Sequence, residues 1–213
     1  MHEVEMTSGR TSERVYDALR RRITQRAYRP GTRLDPSELS EEFGSSVTPV
    51  RDALHILIGE GLVATGPGEG FYIPHLDEPA LQDLYDWTSD LLSAALRRQR
   101  RRQPPTEQSL DNADDDAATP TAALFSAIAR RSDNREHALA MRWANARLHP
   151  LRLVEAQILS DLDLELTEMM SAFAIDDITK LRKLLTNYHA RRKRSAGRIL
   201  RAFYTEDDKI SPI

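Results

Sequence analysis

The sequence contains no cysteine. Disulfide scaffolds, thiolate zinc sites and cysteine nucleophiles are therefore excluded together, and any metal would need His, Asp or Glu. Uninterrupted apolar runs are far shorter than a bilayer crossing requires, so no membrane partner is expected. The opening residues, Met1-His2-Glu3-Val4-Glu5-Met6, have neither the basic start nor the apolar stretch of a secretory signal. A reducing, cytoplasmic setting is the expectation. Lysine is scarce: only 4 of the 30 basic residues are Lys, all in the last quarter of the chain, and 26 are Arg. The planar guanidinium fork suits phosphate, carboxylate and guanine edges. A bulk positive charge is missing too, because residues 1–76 carry nine Arg against eleven Asp plus Glu. If this segment binds nucleic acid, clustered arginines must do it.

What is present is a chain of 213 residues, 40% hydrophobic and 30% charged, with a formal net charge of -3. That apolar content excludes a disordered chain and can fill one large or two small cores. Residues 1–10 lack periodicity and are expected to be a flexible arm. From Thr11, Val15, Leu19 and Ile23 recur every four residues, with Ser12 as a candidate cap, which predicts a helix ending near Arg26 before the Pro30-Gly31 turn. Pro36, Leu39 and Phe43 followed by Gly44 predict a short second helix. A third begins near Ser46, places Val50, Ala53, Leu54 and Leu57 on one face, and stops at Gly61. Two short helices joined by a tight turn make a helix-turn-helix candidate. The β-prone runs Leu62–Thr65 and Phe71–Ile73, separated by Gly66-Pro67-Gly68-Glu69-Gly70, read as a hairpin wing.

Residues 75–79 are expected to be a linker, and nothing after them predicts a strand. Leu81, Leu84, Tyr85, Leu91, Leu92 and Leu96 mark a long helix ending in Arg97, Arg98, Arg100, Arg101 and Arg102 before Pro104-Pro105. That basic run has two readings, a dipole-complementing helix end and a nucleic-acid patch. Asp111–Asp116 reads as an exposed acidic loop. Helices are expected around 122–131, 135–149, 151–173 with a break, and 178–203, with Pro150 ending or kinking one of them. The fold expected is mainly α, a winged helix-turn-helix over 11–74 followed by an all-helical bundle over 80–213.

Pro30-Gly31-Thr32-Arg33-Leu34, Ser37-Glu38-Leu39-Ser40-Glu41, Thr48-Pro49-Val50-Arg51-Asp52-Ala53-Leu54, Glu60-Gly61-Leu62-Val63, and Gly68 and Gly70 before Phe71 form one ungapped series. Over about residues 11–74 it resembles the winged helix-turn-helix domain of GntR-family transcriptional regulators. A recognition helix must present its N-terminal residues to the major groove, where its free N–H groups also favour phosphate. Ser46, Val47 and Thr48 occupy that end, Pro49 fits the first turn and Arg51 lies on the next. Arg51 could instead be a surface ion-pair partner of Asp52 or of residues near Glu60. Gly68 and Gly70 turn the hairpin, and in the family the same turn lets the wing tip approach the minor groove. The expected DNA-contacting set is Arg33, Ser37, Ser46, Val47, Thr48, Pro49, Arg51, Gly68 and Gly70. Family members usually carry Arg where this chain has Ser37 and Val47, and loss of those arginines should lower affinity and alter sequence preference. Val47 could still meet a thymine methyl, and Arg14, Arg20, Arg21, Arg22, Arg26 or Arg33 could compensate.

A head of this type followed by a helical region resembles the FadR-like subgroup, whose C-terminal domain binds effectors and dimerises. Many such domains hold a metal through an Asp and a His four residues apart and two later histidines. Here the corresponding positions are Ala122, Ser126 and Leu166 or Thr167, which leaves only His189. No metal or other cofactor is expected. A substitute built from Asp133 and His137 with His149 or His189 has a simpler explanation in helix-start and surface residues. Thr88, beside Trp87, stands where relatives often place a carboxylate-binding Arg. An effector pocket, if formed, would draw on Trp87, Arg142, Trp143, Arg147, His149 and His189; core tryptophan and solvated arginine are the plainer readings. A more apolar effector, one bound differently, or none are all compatible with these losses.

The implied function is a DNA-binding regulator acting as a homodimer on a short palindrome, with double-stranded DNA as partner and a small-molecule effector left open. The alternative is an interaction module whose winged helix has lost specific DNA binding. No Ser-His-Asp set, phosphate loop or metal constellation suggests an enzyme.

Overall fold

A computed structural model describes the backbone of residues 2–98 and 119–207 and the side chains of 11–98 and 119–205. The chain divides into two compact units between Leu76 and Asp77.

In the first unit, α1 spans His2–Thr24 and buries Val15, Leu19 and Ile23. No proline precedes Pro30, so nothing stops the helix early. It therefore includes residues expected to form a separate arm, and Ser12 lies inside it instead of capping it. Its end is a left-handed turn at Arg26, φ 63°, in which the Ala27 N–H bonds the Arg22 carbonyl at 2.9 Å. Helix α2, Pro36–Phe43, starts where the Asp35 carboxylate accepts from the Ser37 N–H at 2.8 Å and stops at left-handed Gly44. Helix α3, Val47–Gly59, buries Val50, Ala53, Leu54 and Leu57, the face expected from their spacing. Strands β2, Ala64–Gly66, and β3, Gly70–Tyr72, form the wing. A further strand, β1 at Arg33–Leu34, pairs with β3 and makes a three-stranded antiparallel sheet in the order β1-β3-β2. Two residues are too few for alternation to reveal a strand, so the sequence suggested only the hairpin.

The second unit opens with α4, Glu78–Arg97, capped by the Asp77 carboxylate on the Ala80 N–H at 2.8 Å. Pro79 stands in its first turn, which shortens the expected 75–79 linker. The remainder of the arginine run, Arg100 to Arg102, the Pro104-Pro105 stop and the acidic stretch Asp111–Asp116 lie outside the described residues. Among the described residues four helices follow: α5 Pro120–Arg130, α6 Glu136–Glu155, α7 Leu162–Ala174 and α8 Ile178–Asp207. Pro150 does not end a helix at His149, as its chemistry suggested; α6 runs through it to Glu155. Proline removes one backbone bond there, but Leu148, His149, Leu151, Arg152 and Val154 on either side are all buried, and tertiary packing holds the turn. The helices enclose a core that includes Leu92, Phe125, Ile128, Met141, Met169, Leu181 and Tyr188.

Candidate nucleic-acid interface

Helix α3 sorts its residues by spacing into an inner face, already described, and an outer one. Thr48, Arg51, Asp52, His55 and Ile56 all face solvent, and Val47 is 37% exposed. Ser46, in extended geometry at the N-cap, makes no side-chain cap bond, so its hydroxyl does not occupy the first free N–H groups of α3. Pro49 is half-buried in the first turn, where its missing N–H costs nothing. No ion pair holds Arg51 among the described residues. The alternative partner region is committed elsewhere: Glu60 is buried and binds Arg20 through one oxygen at 2.9 Å and the Tyr16 hydroxyl through the other at 2.5 Å. Arg51 is thus an exposed guanidinium two turns from a rigid anchor.

The arginines offered as replacements for the two missing family arginines divide sharply. Arg20 is interior. Arg14 donates to the Phe43 carbonyl at 3.3 Å, and Arg22 pairs with Glu42 while its guanidinium lies 4.9 Å from the Phe43 ring centroid. Those three serve to fasten α1 to α2 and α3. Arg21 and Arg33 remain exposed, and Ser37 is exposed near the start of α2. Arg26 is half-buried.

The wing is shaped by Tyr72. A Cβ on Gly66 would come within 2.6 Å of its ring and one on Gly70 within 2.9 Å, while the Tyr72 hydroxyl donates to the Pro67 carbonyl at 3.3 Å. Gly68 has φ 70°, which a side chain adopts at a cost. Gly70 has an extended backbone, so its glycine is required by the ring and not by the turn.

In the helical unit the six residues suggested for an effector pocket separate. Trp87 is 38% exposed on α4. Arg142, Trp143 and Arg147 are half-buried on α6, whereas His149 and His189 are buried. Burial lowers the Arg147 pKa; it lowers that of His149 too, assisted by Arg152, and drives His189 down to about 4. The two histidines belong to an interior polar cluster that sequence reasoning otherwise missed. Asn145 donates to the Ala122 carbonyl at 3.1 Å and to Ser126 Oγ at 3.0 Å, and accepts from Arg152 at 3.0 Å. Arg192 donates to Glu155 at 2.9 Å and Glu165 at 2.8 Å and lies 3.3 Å from the Tyr188 ring centroid. Burial opposes its charge, but Tyr188, Glu155 and Glu165 outweigh that and raise its pKa. Tyr85 donates to Glu155 at 3.3 Å, and burial, then the Glu155 charge, raises its pKa. A detectable signal was there: Asn145, His149, Arg152 and Glu155 recur three or four apart on α6, a polar stripe among Leu148, Leu151 and Val154.

This arrangement does not fit a metal. Ala122 and Ser126, where the resemblance would place two ligands, are bridged by the Asn145 amide, and a guanidinium stands beside it. Asp133 is exposed and lies 3.7 Å from Arg98, and His137 bonds Ser132 Oγ at 2.8 Å. No group of three or more His, Cys, Asp or Glu suited to a metal occurs among the described residues. Thr88 is buried with its hydroxyl donating to the Leu84 carbonyl at 2.7 Å. No described helix is long and apolar enough to cross a membrane.

Residues 11–73 match the family described as bacterial regulatory proteins, gntR family. The Nta operon transcriptional regulator of Aminobacter aminovorans is 37% identical over 70 residues, 33% of each chain. The chain thus spans about a third of the length of the curated relatives it matches. Two solved structures share the wider fold. A Rhodococcus sp. RHA1 protein named for GntR has a TM-score of 0.69 at 20% identity, covering 87% of this chain and 96% of its own. McbR/YncC of E. coli has a TM-score of 0.62 at 20% identity, covering 88% and 97%. The head is a GntR-type winged helix-turn-helix, and the fold continues in the helical manner of these structures.

Proposed function

We propose that this chain, with its GntR-type head as premise, is a cytoplasmic DNA-binding transcriptional regulator, a ligand-responsive repressor that binds a short palindrome as a homodimer. The observation that carries the reading is Arg51: exposed, unpaired among the described residues, and near the N-terminal end of a helix whose other face is locked into a core. An arginine so placed can fork onto guanine O6 and N7, while Val47 meets a thymine methyl and Thr48 a base edge or phosphate. Arg33, Ser37, Ser46, Pro49 and the wing tip at Gly68 and Gly70 would flank it and contact the backbone. One head reads too few base pairs to select a genomic site, which is the argument for a dimer spanning major grooves about 34 Å apart. A small molecule in the helical region would change which head spacing is populated.

A second reading, a winged helix that binds protein, draws on the arginine inventory: Arg14, Arg20 and Arg22 are engaged inside the head, so they do not replace the two missing family arginines. Titration of purified protein onto the DNA flanking its own gene, against unrelated DNA at several salt concentrations, decides between them. Selective binding with a two-fold footprint is expected. Equal, weak binding to all sequences, together with no enriched site in a genome-wide pull-down, would refute the regulator.

A further inference from the structure

We propose that the outer face of α8 is a DNA-binding surface additional to α3, one that holds the phosphate backbone without reading sequence. Lys183, Asn187, Arg191, Arg194, Arg198 and Arg201 follow one another at spacings of three or four residues, so they form one row along the helix. At 1.5 Å per residue the row is about 27 Å long. Leu181, Leu185, Tyr188, Ala196, Ile199 and Phe203 hold the opposite face in the core. Arg191 is half-buried and the other members of the row are exposed.

Basic side chains beside the row are matched by carboxylates, Arg192 by Glu155 and Glu165 and Lys193 by Asp86. Within it, Arg191 lies 3.8 Å from Glu165 and donates to the Ser160 carbonyl at 2.6 Å. Arg198 donates to the Ile158 carbonyl at 3.4 Å, which leaves its charge unanswered. Lys183, Arg194, Arg198 and Arg201 have no ion pair among the described residues. Arg191, Arg194, Arg198 and Arg201 are successive neighbours on the helix surface, and like charges at that spacing destabilise a helix. The helix dipole does not account for them, because it favours cations in the last turn and α8 continues to Asp207. An extended anion laid along the row relieves the repulsion. Among the described residues of α8 no large apolar side chain is exposed. A protein interface centres on aromatic or aliphatic anchors, and a helix lying on a membrane needs an apolar face. Phosphates need only cations and small polar donors such as Asn187, and a nucleic-acid strand supplies them in a continuous line.

The test is binding of the full chain to double-stranded DNA of unrelated sequence across a salt series. Each phosphate contact contributes about 0.9 to the slope of log affinity against log salt, so Arg194→Gln with Arg201→Gln should flatten that slope by about 2 and weaken binding at least about tenfold at low salt. Lys183→Gln with Arg194→Gln should do the same. Arg135→Gln with Arg182→Gln removes equal charge from exposed positions off the row and should leave the slope near the parent's. All three proteins should keep the parental melting midpoint, which separates a lost contact from a lost fold. The proposal is overturned by no binding to unrelated DNA, by a parental slope in both row variants, by an equal loss in the off-row variant, or by tighter binding of poly-glutamate than of DNA, which would assign the row to an acidic protein. Its choice of partner rests on the regulator reading, but the two fail separately. Equal binding to all sequences with the slope changes observed would refute the regulator alone, and operator selectivity with a parental slope in the row variants would refute the row alone.

Discussion

Glu60→Ala tests whether α3 is held from behind by a buried ion pair. Glu60 caps the C-terminal end of α3, and its side chain and that of Arg20 are each 6% exposed at a separation of 2.9 Å. Removing the carboxylate strands the Arg20 charge in the core and takes away the acceptor of the Tyr16 hydroxyl. Breaking a buried pair from one side costs about 3–5 kcal/mol, against about 0–1 kcal/mol for a surface pair. At about 4–8 °C per kcal/mol for a domain of this size, the midpoint of the head falls by at least about 12 °C. The two units can be followed separately. Both tryptophans, Trp87 and Trp143, lie beyond Leu76, so tryptophan fluorescence reports the helical unit while far-ultraviolet circular dichroism reports both. An early dichroism transition without a fluorescence change is expected. The double variant Arg20→Met with Glu60→Leu removes both charges and should regain most of the loss, within about 1 kcal/mol of the parent, since an apolar replacement costs little once neither charge is stranded. A Glu60→Ala protein that loses less than about 1 kcal/mol would refute the buried-pair account.

Arg51→Ala should weaken operator binding by about 1–3 kcal/mol, roughly 5- to 150-fold, with helical content unchanged; a band-shift titration giving parental affinity removes Arg51 from the interface. His189 imposes a pH dependence on the helical unit. Its pKa falls from 6.5 to about 4 on folding, so between those values the unfolded chain binds more protons than the folded one. Stability from this residue is complete above about pH 6.5 and declines toward pH 4 by up to roughly 3 kcal/mol. Urea melts followed by tryptophan fluorescence should show a shallower pH slope for His189→Phe, and parallel slopes would count against the buried neutral imidazole. Incubation with EDTA should alter neither the melting midpoint nor DNA affinity; a loss restored by a divalent ion would contradict the donor-set argument.

Much of the head was legible because its signals are local. Val15, Leu19 and Ile23, then Val50, Ala53, Leu54 and Leu57, announce their buried faces by spacing alone, and Pro36 and Gly44 bracket α2 by backbone chemistry. Pro150 misled for the complementary reason: its local penalty is real, but the packing that outweighs it comes from residues distant in the chain. The short strand β1 was invisible because its only evidence is its partner β3.

The sequence by itself determined the winged head, the helical remainder, and the outward face carrying Val47, Thr48 and Arg51, since each follows from periodicity and capping within a few residues. Only the tertiary structure decided which arginines are available. Arg20, Arg22 and Arg51 look equivalent as letters, yet one is buried against Glu60, one pairs with Glu42 and one faces solvent. It alone also placed Arg192 between Glu155 and Glu165 and set Arg152 against the Asn145 side-chain oxygen. The cost of a buried charge depends on what lies within a few ångströms in space, and those neighbours come from helices tens of residues apart.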